Sequence, residues 1–265
     1  MIRSYLINRN ELEKINYSED ILSTGRKEKI AKIKREDDKQ LSACAELLLI
    51  YGLRKQLQEV SLPLSIEEDD RNKLILKDIP LYFNISHASE YAVCSISDRP
   101  IGVDIEYFRV RELIHPEKIL HPEEVKLMGF VTNQNEKKKF FYECWVQKES
   151  YLKNLGIGLI VRPGEFRVHE DRLVIRDEDF SKLKGKHSGK ISFSLGEAPK
   201  GKDNTLAENL SYLEQRYVHL FEPGEIRGTD WKFDAGYRMA VCSMEKDDDN
   251  TARLIHAEDI NEVLA

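Results

Sequence analysis

A helix-forming stretch followed by closely spaced strand-like runs occurs twice along this chain, and that order admits few folds. From about Lys27 to Leu57 the sequence is rich in strong helix formers, lacks proline and turns apolar in SACAELLLIYGL, which predicts one long helix with a buried second half. Its first part, RKEKIAKIKREDDK from Arg26 to Lys39, carries seven basic and four acidic residues and reads as a solvated basic face. Beyond the acidic IEEDD come LILKDI, LYFNI, YAVCSI and PIGVDIE, separated by turn-forming Asn, Ser, His, Asp and Pro; connections this short imply a mostly antiparallel sheet. The order then repeats. Pro116 to Val131 and Glu136 to Leu155 read as helices, the second stopped by Gly156, and FRVHE, RLVIR, ISFSL, RYVHLF and YRMAVCSM follow as strands. YAVCSI, from Tyr91 to Ile96, is echoed by MAVCSM, from Met239 to Met244. The expectation is an α/β (α+β) protein of two similar halves, each a mostly antiparallel sheet packed with a long helix. One half is residues 1–100 and the other residues 101–265, enlarged between about 181 and 230. Within the enlargement KLKGKHSGK and GEAPKGKDN read as loops, and Leu206 to Glu214 as a short helix.

Composition narrows the function. The 265 residues suffice for two cores, and the balance of 41% hydrophobic and 33% charged residues is that of a folded, soluble protein. A net charge of −6 argues against nucleic-acid binding, which needs a basic surplus. Cys44, Cys94, Cys144 and Cys242 stand too far apart for a CxxC or Cys/His zinc site. The longest apolar stretch, LLLIYGL from Leu47 to Leu53, is too short to span a bilayer, and no signal-peptide pattern opens the chain, so a cytoplasmic protein without membrane contact is expected.

Three short patterns carry chemistry. In PIGVDIE the strand alternation puts Ile101, Val103 and Ile105 on one side and Gly102, Asp104 and Glu106 on the other. The Cα atoms of Asp104 and Glu106 would lie about 6–7 Å apart, so both carboxylates can converge on one hard cation, with Gly102 leaving room for a ligand. The competing reading is the solvent face of an amphipathic strand. In FYECWVQKESYLK helical spacing stacks Trp145, Glu149 and Lys153 along one face with Lys148 beside it, which an ordinary surface ion pair would also produce. In FNISHA, Phe83 and Ile85 point inward, and Ser86 and His87 follow them; the histidine suits either a phosphate or a turn.

Taken together and in this order, FNISHA, PIGVDIE and WVQKESYLK resemble the signature of the Sfp-type 4′-phosphopantetheinyl transferases. The resemblance runs from the basic helix near Arg26 to FDAGYRMAVCS, with Arg172 to Lys232 matching poorly. It implies a pseudo-symmetric monomer of two α/β halves with the site between them. The implied activity is transfer of the phosphopantetheine arm of coenzyme A, the co-substrate, to a serine of an apo acyl or peptidyl carrier protein. Carried over by position, Asp104, Glu106 and Glu149 are the implied ligands of Mg²⁺, with Mn²⁺ as an alternative. Glu149 is the implied base and Lys153 the implied group at the departing 3′,5′-ADP. Arg26, Lys29, Lys73, Ser86, His87 and Lys148 are the implied coenzyme A contacts. The chain departs from the family in RNKLIL, where a GKP tripeptide is usual, in Ala88, where a second serine is common, and in Ile157, where lysine is common. Two rivals remain: a non-catalytic relative that binds coenzyme A or a carrier protein, and a metal-dependent phosphodiesterase. Intact Asp104, Glu106, Glu149 and Lys153 speak against the first, and the scattered histidines against the second.

Overall fold

The computed structural model describes residues 1–69, 73–108, 115–156, 162–169, 172–174, 216–244 and 250–265. ISFSL, the two loop stretches, the Leu206–Glu214 helix and Ile157 lie outside these, as does most of the enlargement.

The expected long helix is two, α1 (Thr24–Lys32) and α2 (Glu36–Arg54). The backbone is extended at Ile33 and at Arg35, and Glu36, Asp37 and Asp38 form the first turn of α2. Three carboxylates favour a new helix N-terminus, where the macrodipole is positive. Every residue of α2 from Leu41 to Leu53 is buried, so this segment is enclosed on all sides. The basic face is not uniformly solvated either, because Arg26 is buried.

Seven-residue strands dominate the first sheet: β1 (Ile2–Asn8), β4 (Tyr82–Ala88) and β5 (Tyr91–Ser97). A small antiparallel hairpin of β2 (Ile66–Glu68) and β3 (Leu74–Leu76) precedes β4. In the second half β6 (Ile101–Tyr107) is followed by α3 (Pro122–Phe130) and α4 (Gln134–Leu155), the latter ending at Gly156 with φ +70°. The helix expected from Pro116 is a 3-10 turn at Pro116–Lys118 followed by α3, whose N-terminus is set by a capping box between His121 and Glu124. Then come β7 (Arg167–His169), β8 (Arg172–Val174), β9 (Tyr217–Leu220), β10 (Ile226–Arg227), α5 (Trp231–Gly236) and β11 (Tyr237–Ser243). The chain finishes with β12 (Thr251–Ile255) and α6 (Ala257–Leu264).

The strand orders are β10-β12-β1-β5-β4 and β6-β11-β9-β8-β7. Pairing is antiparallel except for β12, which runs parallel to both β1 and β10. The sheet begun by β1 therefore takes two strands from beyond residue 101, and α6 packs on α2. The four layers are α2, first sheet, second sheet and α4. Ile2, Leu6 and Val93 meet Ile101, Val103, Ile105, Met239 and Val241 between the sheets, while Tyr5, Ile7, Ala92, Cys94 and Ile96 turn to α2. The sequence echo reflects this geometry. Val93 and Val241 both face the inter-sheet core, whereas Ala92 and Cys94 lie under α2 just as Ala240 and Cys242 lie in the cluster under α4. Small residues at those positions let each helix approach its sheet. Among the described residues no helix is long and apolar enough to cross a membrane.

Gly102 has a different role from the one expected. A Cβ there would stand 2.0 Å from the Ser150 carbonyl oxygen and 2.3 Å from the Asn154 nitrogen, so the space beside it holds the backbone of α4 and not a ligand. Gly102→Ala is expected to destabilise the protein by about 2 kcal/mol or more, since helix backbone cannot step aside as a side chain could. Urea unfolding of the two proteins measures this, and an unchanged midpoint would contradict the close approach.

Candidate active site

The edge strands β4 and β6 adjoin, tied by Asn84, whose Oδ1 accepts the Val103 N–H at 2.9 Å. In β4, Phe83 and Ile85 turn to the α2 core, so Asn84 and Ser86 emerge on the opposite face, beside β6. In β6, Ile101, Val103 and Ile105 enter the inter-sheet core, which leaves Asp104 facing α4. Ser86 Oγ donates to Asp104 Oδ1 at 2.8 Å, and Lys153 Nζ donates to both, at 2.9 Å and 2.6 Å respectively.

Asp104 is buried, and its Oδ2 has no hydrogen-bond partner among the described residues. A buried carboxylate oxygen in that state is costly unless a cation or donor takes it. Glu149 stands one helical turn before Lys153 and is half-buried. Burial first, and then the neighbouring Asp104 charge, push its carboxyl above the ordinary value, while Lys153 pulls it back. Hard oxygens with crowded negative charge suit a divalent cation, so Asp104 and Glu149 fit the metal implied by the sequence resemblance. Glu106 follows on the same face of β6, opposite Arg238 in the ladder. These three carboxylates are nevertheless not gathered: among the described residues no three His, Cys, Asp or Glu side chains converge on one metal position. Lys153 engages Asp104 Oδ1 instead.

A cluster of cations borders this junction. Desolvation and the charges of Arg26 and Lys153 lower the pKa of Lys29, and desolvation with Lys29, Lys153 and Arg26 lowers that of the exposed His87, against an opposing pull from Asp38. Groups from α1, β4 and α4 thus share one electropositive region able to hold an anion.

The remaining candidates are committed elsewhere. Arg26 is paired through Nε with Glu46 Oε2 at 3.0 Å and through Nη1 with Ser42 Oγ at 3.1 Å. Lys73 Nζ donates to the carbonyls of Ile101 and Asn154, both at 3.0 Å, and so bridges β6 to the end of α4. Lys148 is completely buried, and its ammonium donates to Glu124 Oε2 and to the carbonyls of Ile119 and Pro163. Its three protons are used, so it anchors α4 and has no face left for a phosphate. One residue of rotation, about 100° on a helix, separates it from Glu149. Sequence reasoning missed Asn84, Glu46 and Asn154; the last donates to Pro100 O and Cys242 O and accepts from Arg216 Nε. A polar residue inside an otherwise apolar helix face was the available signal for Glu46 and Asn154.

A carboxylate pair with an unpartnered oxygen, flanked by cations, has the chemistry that suits a divalent cation and a phosphorylated ligand. The family described as the 4′-phosphopantetheinyl transferase superfamily matches residues 100–193, the segment carrying Asp104, Glu149 and Lys153. The chain is 22% identical over 242 residues to 4′-phosphopantetheinyl transferase Sfp of Bacillus subtilis, covering 90% of this chain and 89% of that one. To 4′-phosphopantetheinyl transferase ffp of Bacillus subtilis it is 27% identical over 229 residues, 85% of this chain and 84% of the relative. Its match to 4′-phosphopantetheinyl transferase gsp of Aneurinibacillus migulanus is 34% identical but spans 36% of this chain and only 40% of the relative. Over these spans the chain is similar to 4′-phosphopantetheinyl transferases, most fully to the two Bacillus subtilis enzymes.

The folded-state pKa of His87 lies below the ordinary 6.5, so between the two values the unfolded chain binds more protons than the folded one. Stability should therefore be intact above 6.5 and fall as the pH drops below it, and His87→Gln should make that fall shallower. Urea unfolding of both proteins across this range tests it; parallel profiles would be inconsistent with a depressed His87.

Proposed function

We propose that the protein transfers the 4′-phosphopantetheine group of coenzyme A to a serine of an apo acyl or peptidyl carrier protein, releasing 3′,5′-ADP. The observation that carries this reading is the junction of Ser86, Asp104, Glu149 and Lys153 beside the Lys29–His87 cluster, with Asp104, Glu149 and Lys153 inside the segment that matches the family. In this reading the division at residues 1–100 and 101–265 is functional: one half supplies Lys29, Ser86 and His87, the other Asp104, Glu106, Glu149 and Lys153. His87 binds the phosphates of coenzyme A, Lys29 meets its 3′-phosphate, the place the family resemblance implies for a cation of α1, and Ser86 orients Asp104. Arg26 and Lys73 contribute positive charge from behind while holding their neighbouring elements in place.

The carrier serine oxygen forms a bond to the phosphorus bearing pantetheine, and the bond from that phosphorus to the bridging oxygen of 3′,5′-ADP breaks. Glu149, whose carboxyl is raised above its ordinary value by burial and the Asp104 charge, takes the serine proton. Lys153 stabilises the negative charge that develops on the 5′-phosphate of the departing 3′,5′-ADP and supplies a proton there. Mg²⁺, with Mn²⁺ as the alternative, would be held by Asp104, Glu106 and Glu149 and would neutralise the pyrophosphate of coenzyme A. The unpartnered Oδ2 of Asp104 supports that assignment. We place the protein in the cytoplasm as a monomer; its four cysteines are free and buried, as a reducing compartment maintains them.

Intact mass of an apo carrier protein, incubated with this protein, coenzyme A and Mg²⁺, tests the assignment. One added phosphopantetheine unit is expected, with none when the divalent cation is chelated. Glu149→Gln is expected to slow transfer by about a hundredfold or more, the usual contribution of a positioned base. Coenzyme A binding without any transfer to several carriers would favour the binding-only relative.

A further inference from the structure

Glu46 takes no part in the chemistry above, yet it is a charged side chain wholly enclosed in the buried Leu41–Leu53 stretch of α2. Its carboxylate accepts from the Ser23 N–H at 2.6 Å, from the Ser23 hydroxyl at 3.0 Å and from Arg26 Nε at 3.0 Å. Ser23 is the N-cap of α1, its Oγ accepting the Arg26 N–H at 3.3 Å, and Ser42, one turn earlier on α2, receives Arg26 Nη1. One carboxylate thus holds both the cap of α1 and Arg26, the single buried residue of that helix.

The rest of α1 is at least partly exposed and lacks an apolar face that could dock it as firmly. Lys29 lies three residues beyond Arg26, on the same side of the helix, so the angle at which Arg26 is held sets where Lys29 points. Charge repulsion would drive this helix outward. The charges of Arg26 and Lys153 disfavour that of Lys29, and His87 feels all three. A buried countercharge offsets that repulsion, and Glu46 is the carboxylate in contact.

We infer that Glu46 is a positioning residue for coenzyme A: by clamping Ser23 and Arg26 it fixes α1 so that Lys29 meets the 3′-phosphate. The inference rests on the coenzyme A reading of the site. It assigns Arg26 to holding the helix and Lys29 to the ligand. A role confined to stability would weaken every ligand alike or none, whereas a positioning role discriminates by the presence of the 3′-phosphate.

Calorimetric titration with coenzyme A and with 3′-dephospho-coenzyme A separates these. Wild-type protein is expected to bind coenzyme A more tightly, and Lys29→Ala to lose that preference. Glu46→Gln is expected to raise the Kd for coenzyme A about tenfold, the lower end for loss of a supporting partner behind a binding group, and to leave the Kd for the dephospho form unchanged. Unchanged affinity for both ligands, or an equal loss for both, overturns the inference while the Lys29 result leaves the coenzyme A reading standing. A wild-type protein indifferent to the 3′-phosphate overturns both. Should Glu46→Gln fail to fold, Ser23→Ala, which keeps the Arg26–Glu46 pair, is titrated in its place. A smaller loss confined to coenzyme A is then expected, and wild-type affinities for both ligands would refute the clamp.

Discussion

The close approach of α4 to β6 at Gly102 sets where Glu149 and Lys153 stand against Asp104. A residue without a side chain lets the helix backbone descend onto the strand, and Asn154 then donates to the carbonyls of Pro100, just before β6, and of Cys242 in β11. Lys73 closes the same joint from the first half by donating to Ile101 and Asn154. With that end of α4 held, the four-residue spacing from Glu149 to Lys153 runs against the two-residue spacing of β6, and Lys153 lands on Asp104. A helix riding higher would leave these groups out of hydrogen-bond reach.

Two buried ion pairs support this joint without sharing its chemistry. Lys148 with Glu124 fastens α4 to the N-terminus of α3 and to the turn at Pro163, and Arg26 with Glu46 fastens α1 to α2. Breaking one partner of such a pair would strand a charge in a low-dielectric interior, which makes each pair a strong constraint on geometry. Each also places a cation next to the site in sequence but turned away from it in space. Lys148 adjoins Glu149 in the chain, yet only Glu149 lies within electrostatic reach of Asp104 and Lys153.

Much of the fold was legible because alternation and helix formers are local properties. β4, β5, β6, β11 and α4 fall where the patterns put them, and the echo of YAVCSI in MAVCSM reports the same inside-outside placement in both sheets. The terminal strands were not legible: β1 and β12 pair in parallel across nearly the whole chain, a contact no local pattern encodes. The split between α1 and α2 was also missed, although Glu36, Asp37 and Asp38 carry the signal of a second helix start.

By itself the sequence determined which side chains could do chemistry, because strand alternation puts Asp104 opposite the core and helical spacing puts Glu149 and Lys153 on one face. Tertiary structure alone decided which of the many basic residues are consumed by internal partners and which stay at the surface. Lys29, His87, Arg26, Lys73 and Lys148 are equivalent as candidate cations on paper. The fold spends Arg26 on Glu46, Lys73 on two carbonyls and Lys148 on Glu124, because a cation carried into the interior must find oxygen partners there. It leaves Lys29 and His87 exposed, within electrostatic reach of Lys153.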